Sequence, residues 1–101
     1  MEVLLKKPGA EYEKINIENN HKAFQEQVLG YFEEIHFDKN IIMLINEDAI
    51  YRNLSPNINY KGTKILGPVL FVSDTEDGLE YDSLSEKQIQ YIEKYLKKNS
   101  L

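Results

Sequence analysis

Two apolar runs dominate the chain. Ile41-Ile42-Met43-Leu44-Ile45 contains no polar position, and Ile65-Leu66 followed by Val69 to Val72 forms the second. A strand that is apolar throughout is covered on both faces, which places 41–45 at the centre of a sheet. Gly67-Pro68 interrupts the second run. Proline cannot donate to a ladder, so a strand either begins there or carries a bulge. Other segments alternate. In residues 31–37, Tyr31, Glu33, Ile35 and Phe37 share one side and Phe32, Glu34 and His36 the other, which predicts a half-buried strand. Asp38-Lys39-Asn40 then reads as a hairpin loop into 41–45. Val3-Leu4-Leu5, ended by Lys6-Lys7-Pro8-Gly9, and a stretch holding Tyr12, Ile15 and Ile17 predict an N-terminal hairpin.

Helical spacing occurs twice. Asn19-Asn20 offers an N-cap, Ala23, Phe24, Gln27 and Val28 follow, and Gly30 suits the left-handed position after the helix. The second helix is the stronger signal. Ser85 and Gln88 have capping-box spacing, Leu84 and Ile89 form a hydrophobic staple, and Ile89, Ile92 and Leu96 make one stripe with Tyr91 and Tyr95 beside it. The pattern as a whole predicts an α+β domain with about five strands in a mainly antiparallel sheet and two helices, one short after the first hairpin and one C-terminal.

Composition narrows the class. A length of 101 residues suits one domain, 1–101, and 42% hydrophobic with 29% charged residues is a globular balance rather than a disordered one. The absence of cysteine removes disulfides, thiolate zinc sites and thiol nucleophiles together. No apolar run approaches a membrane span, and Pro8-Gly9 falls where a signal peptide would still be apolar, so a cytoplasmic location is expected. Seventeen acidic against twelve basic residues leave a net charge of −5. That argues against nucleic-acid binding, whose affinity comes chiefly from neutralised phosphates.

Candidate chemistry is sparse. His21 and His36 are the only histidines and lie on different elements, so a metal site is not expected. Asp74 to Asp82 is acidic, but Gly78 falls at the fifth place of the run where a calcium loop needs glycine at the sixth. Glu33 and Glu34 point to opposite faces and cannot act as a carboxylate pair. The glycines are too scattered for a phosphate cradle. A non-enzymatic protein without a cofactor is expected.

The segment 46–64 is the remaining candidate. It joins the two apolar runs through three turn signals, Asn46-Glu47-Asp48, Ser55-Pro56-Asn57 and Tyr60-Lys61-Gly62. So long a connection in a small domain either carries function or hides a short element. Tyrosine and asparagine suit a contact surface, and Arg52 is the only arginine. The expected binding residues are Tyr51, Arg52, Asn57, Asn59, Tyr60, Lys61 and Lys64. The competing expectation is that Ile50 and Leu54 tuck into the core as one helical turn.

The order of motifs resembles a small domain-of-unknown-function family encoded by phages, plasmids and conjugative elements, mainly of Gram-positive bacteria. The residues that carry the resemblance are Pro8-Gly9 after the first strand, Val28-Leu29-Gly30-Tyr31-Phe32-Glu33, Asn46-Glu47, Leu54-Ser55-Pro56-Asn57, the Gly67 to Val72 strand and Ser83-Leu84-Ser85-Glu86-Lys87-Gln88. Leu29 stands where the family has the first glycine of a pair. The resemblance implies no established activity and assigns no residue a role. It implies an accessory protein of a mobile element that binds a host or element-encoded protein, with antagonism of host defence as one form. The alternative is a protein that binds or sequesters a small, anionic, nucleotide-like ligand. A homodimer fits either.

Overall fold

A computed structural model of the chain describes residues 1–101. The elements follow in the order β1 (Glu2–Lys6), β2 (Glu13–Asn16), α1 (His21–Val28), β3 (Phe32–His36), β4 (Ile41–Asn46), β5 (Pro56–Tyr60), β6 (Thr63–Leu66), β7 (Val69–Asp74), β8 (Tyr81–Asp82) and α2 (Glu86–Asn99). The class is α+β, with more strands than the apolar pattern suggests. The main sheet runs β2-β1-β7-β4-β3, with β8 also beside β7, and every neighbouring pair is antiparallel. Strands β5 and β6 form a separate two-stranded sheet. Neither helix is long and apolar enough to cross a membrane.

The two apolar runs behave differently. The first becomes β4, buried at every position. The second is divided at Gly67-Pro68. Ile65 and Leu66 end β6 of the small sheet, whereas Val69 opens β7 of the large one. Gly67 makes the change of sheet with φ +82°, and a Cβ there would stand 2.7 Å from Leu54 Cδ1. Both the backbone angle and the contact therefore require glycine.

Alternation along the strands splits the core. Val3, Leu5, Ile42, Leu44, Leu70 and Val72 face one side, where Phe24 and Val28 of α1 cover them. Leu4, Met43, Ile45, Val69 and Phe71 face the other. Their cover is composite: Ile89, Ile92 and Leu96 from α2, and Ile58 and Ile65 from the β5–β6 hairpin.

Both helix starts form as their sequences predict. The Asn20 side chain accepts from the Ala23 N–H (2.8 Å). At α2, Gln88 N–H donates to Ser85 Oγ (3.2 Å) and Ser85 N–H to Gln88 Oε1 (2.8 Å), closing the box. The end of α1 differs from expectation. Leu29, not Gly30, takes the left-handed position, with φ 68°. Gly30 follows with φ 151°, a conformation that favours glycine, and a Cβ there would also lie 3.0 Å from Arg52 Nη1 and 3.2 Å from Asn46 Nδ2.

The 46–64 segment is mostly structure. Its last two turn signals bracket β5, and Lys61 (φ 49°) and Gly62 (φ 80°) make a tight hairpin turn into β6. Both central residues have positive φ, as two-residue hairpins require. The single helical turn also exists, closed by Arg52 N–H donating to the Asp48 C=O (2.9 Å). Its packing is not the expected one. Ala49 is buried and Leu54 half-buried, whereas Ile50 is exposed.

Asn57 corrects the expectation of a surface contact, because it is fully buried beneath the hairpin. Its Nδ2 donates to Lys6 C=O (2.7 Å) and Gly67 C=O (2.8 Å), and its Oδ1 accepts from Lys6 Nζ (3.0 Å). The hairpin lies outside the main ladder, and the carbonyls beside it need donors. The amide supplies them, since a buried unpaired carbonyl is costly.

Two stability measurements test this construction. Ile92→Ala empties the centre of the composite cover and should cost about 2–4 kcal/mol in chemical denaturation. Asn57→Ala removes the side-chain donor to two carbonyls and one of the two acceptors of the Lys6 ammonium, and should cost about 3 kcal/mol or more. Exposed Lys64→Ala should stay within about 0.5 kcal/mol of the parent. An Asn57→Ala midpoint as close to the parent as that of Lys64→Ala would show that the amide does not pin the hairpin.

Candidate functional site

The seven expected binding residues do not form one surface. Asn57 is interior. The other six fall into three places, set by where their elements run.

Tyr51 and Arg52 lie on the β4–β5 loop, at the end of the sheet where β3 begins and β4 ends. That loop is fastened to the α1–β3 connection by three contacts. Asn46 Nδ2 donates to Val28 C=O (2.9 Å), Glu47 N–H donates to Tyr31 C=O (3.0 Å), and the Arg52 guanidinium donates to Leu29 C=O. Asn46 is itself buried, so the loop starts from a fixed point. Asn46 Oδ1 also accepts from Asp48 N–H (2.8 Å), which sets the first bend. The two connections together present Leu29, Tyr31, Ile50 and Tyr51 to solvent, exposed by 49%, 67%, 77% and 88%. The sequence carries no signal for Leu29 and Tyr31, because the left-handed position is expected at Gly30 and is taken by Leu29.

Lys64 lies on β6 in a groove of about 300 Å³ between the hairpin and the β3–β4 pair. Ile35, Ile45 and Ile65 line it, together with Tyr51 from the loop and Glu33 from β3.

Asn59, Tyr60 and Lys61 lie at the opposite end of β3, at the tip of the hairpin. They line a pocket of about 390 Å³ with Phe37, Asp38, Tyr91 and Tyr95. Lys61 Nζ sits 5.3 Å from the centre of the Tyr60 ring. The hydrogen bond from Tyr91 holds the Asp38 carboxyl below its ordinary range, helped by the Lys39 N–H. The same bond raises Tyr91, and burial raises Tyr95, so both remain neutral phenols.

Arg52, Lys61 and Lys64 are thus separated, each with its own neighbour: a carbonyl, an aromatic face and an apolar groove. His21 packs against Phe32 with ring centres 5.4 Å apart, and His36 is exposed on the edge strand. No three His, Asp or Glu side chains converge as a metal-ligand set.

No curated protein and no solved structure gives a significant match to this chain. A family model does: that of a domain of unknown function, DUF3846, aligned to residues 1–98. The match takes in both helices nearly whole, both sheets and every loop described above, and on that extent the chain belongs to the DUF3846 family.

Proposed function

We propose that the protein is a non-enzymatic interaction module, carried by a phage or other mobile element and acting in the host cytoplasm. It binds a host or element-encoded protein through the loop cluster around Tyr51 and Arg52, and antagonism of a host defence component is the form this binding takes. The observation that carries the reading is the gathering of Leu29, Tyr31, Ile50 and Tyr51 at one end of the sheet. A single exposed apolar residue means little, whereas several on adjoining loops are typical of a binding surface.

The chemistry of the cluster suits protein contact. Tyrosine and arginine supply large, rigid contact area and are enriched among residues that dominate binding energy. The loops that bear them are tied to each other by the Glu47 and Arg52 bonds, beside the Asn46 bond that joins β4 to α1. Little ordering is then left to be done on binding, and ordering is one of its main costs. The small-anion alternative draws less support from these residues, because Arg52, Lys61 and Lys64 lie apart.

A photo-crosslinking residue at position 51, with a control at exposed position 90 on α2, tests the reading in host cells. Expected is an adduct with a discrete protein from position 51 only, weakened by Ile50→Ala while the melting temperature stays unchanged. No adduct from position 51, or the same adducts from both positions, overturns it.

A further inference from the structure

The pocket at the hairpin tip has a composition that the loop-cluster reading does not use. Phe37 follows β3, Tyr60 ends β5, and Tyr91 and Tyr95 lie one turn apart on α2. Their rings pack edge-on or tilted: Phe37 to Tyr95 at 4.8 Å and 86°, Phe37 to Tyr91 at 5.9 Å and 79°, Tyr60 to Tyr95 at 6.5 Å and 57°. In each edge-on pair the edge of one ring covers a face of the other, and Phe37 and Tyr60 lie nearer to parallel, at 5.6 Å and 30°, so the ring face left open to the space is the one on Tyr60 over which Lys61 rests.

The hydroxyls are already engaged. Tyr91 donates to Asp38 Oδ2 (2.7 Å), Tyr95 to Asn59 C=O (2.7 Å) and Tyr60 to His36 C=O (3.3 Å). These bonds fix the rings and leave the phenols few donors for a ligand. A sugar or a nucleobase, read by hydrogen bonds, finds little here. A diffuse positive charge finds the open face of Tyr60, the neighbouring rings and, at the rim, an ionised carboxylate on Asp38. The chain's net charge of −5 favours the same sign of ligand.

The molecule also shows that one face accepts a cation, because Lys61 Nζ rests over Tyr60 at 5.3 Å. Lys61 is exposed on a turn, so its ammonium can leave. A primary ammonium entering in its place would give up strong hydration for few acceptors. An alkylated ammonium is weakly hydrated and brings methyl groups to the rings.

We propose that the pocket formed by Phe37, Tyr60, Tyr91 and Tyr95, with Asp38 at its rim, binds an alkylated ammonium group, for which Lys61 is the internal occupant. The group can arrive on a free quaternary amine or on a trimethylated lysine side chain. The site lies at the far end of β3 from the loop cluster and stands or falls independently of it.

The test is an NMR titration of the full chain, following the tyrosine ring resonances. One arm uses tetramethylammonium chloride against sodium chloride at equal ionic strength. The other compares a trimethyllysine peptide with its unmodified counterpart. Saturable shifts of Tyr60, Tyr91 and Tyr95 are expected in at least one arm. Both arms responding points to the head group alone, and the peptide arm alone to a modified side chain. Tyr60→Leu, which keeps an apolar group and removes the ring, should weaken binding at least about threefold, and Lys61→Ala should tighten it. Lys61→Ala decides the matter even where Tyr60→Leu folds poorly. No saturable shift in either arm, or weaker binding after Lys61→Ala, overturns the proposal.

Discussion

Strands β4 and β7 are buried along nearly their whole length, and two adjacent strands with no polar face cannot border water. This constraint organises the rest of the molecule. One face is small enough for the two turns of α1, through Phe24 and Val28. The other is not covered by α2 alone, and the β5–β6 hairpin completes it with Ile58 and Ile65. The long connection between the two apolar runs is therefore both cover and surface. Its inward residues belong to the core, and its turns carry the exposed groups.

Each face also has a buried asparagine that fixes its cover in place. Asn46 receives the end of α1 through Val28 C=O, and Asn57, on β5 of the hairpin, ties that hairpin to Lys6 of β1 and to Gly67. Apolar packing alone tolerates sliding, whereas a hydrogen bond has one register. Lys6 shows what this arrangement costs. Its ammonium is held by Asn57 Oδ1 and Lys7 C=O, both neutral, and burial lowers its pKa despite the nearby Glu11. The charge remains tolerable because no buried side-chain polar atom lacks a partner.

Much of the fold was legible because its signals are local. The capping box at Ser85 and Gln88, the β3–β4 turn and the unbroken run of β4 each state their structure within a few residues. The hairpin was not legible as strands. β5 and β6 each bury one large aliphatic residue, Ile58 and Ile65, beneath an otherwise polar face, so neither shows alternation long enough to read. β8 is two residues long and exists only through its pairing with β7. The buried role of Asn57 was not legible for a related reason. Its composition matches a binding loop, and its role depends on two carbonyls, Lys6 and Gly67, that the chain brings together only after folding. The exposure of Ile50 rather than Ala49 likewise turns on which side of a single helical turn meets Leu54.

The strand order has a bearing on how the chain is made. β7 lies between β1 and β4, yet it is synthesised after both. While the chain is emerging, the β1–β2 and β3–β4 hairpins can each close locally, but they share no edge. Their apolar faces stay divided until Val69–Asp74 arrives to pair with Leu4–Lys6 on one side and Ile41–Ile45 on the other. Distant pairing of this kind is slow, because the closure entropy of a long loop is lost before any contact returns it. A nascent chain stalled short of Val69 would carry two half-built sheets, with the apolar β4 as the open edge of one of them. In that state the ribosome-bound protein is at its most vulnerable to aggregation.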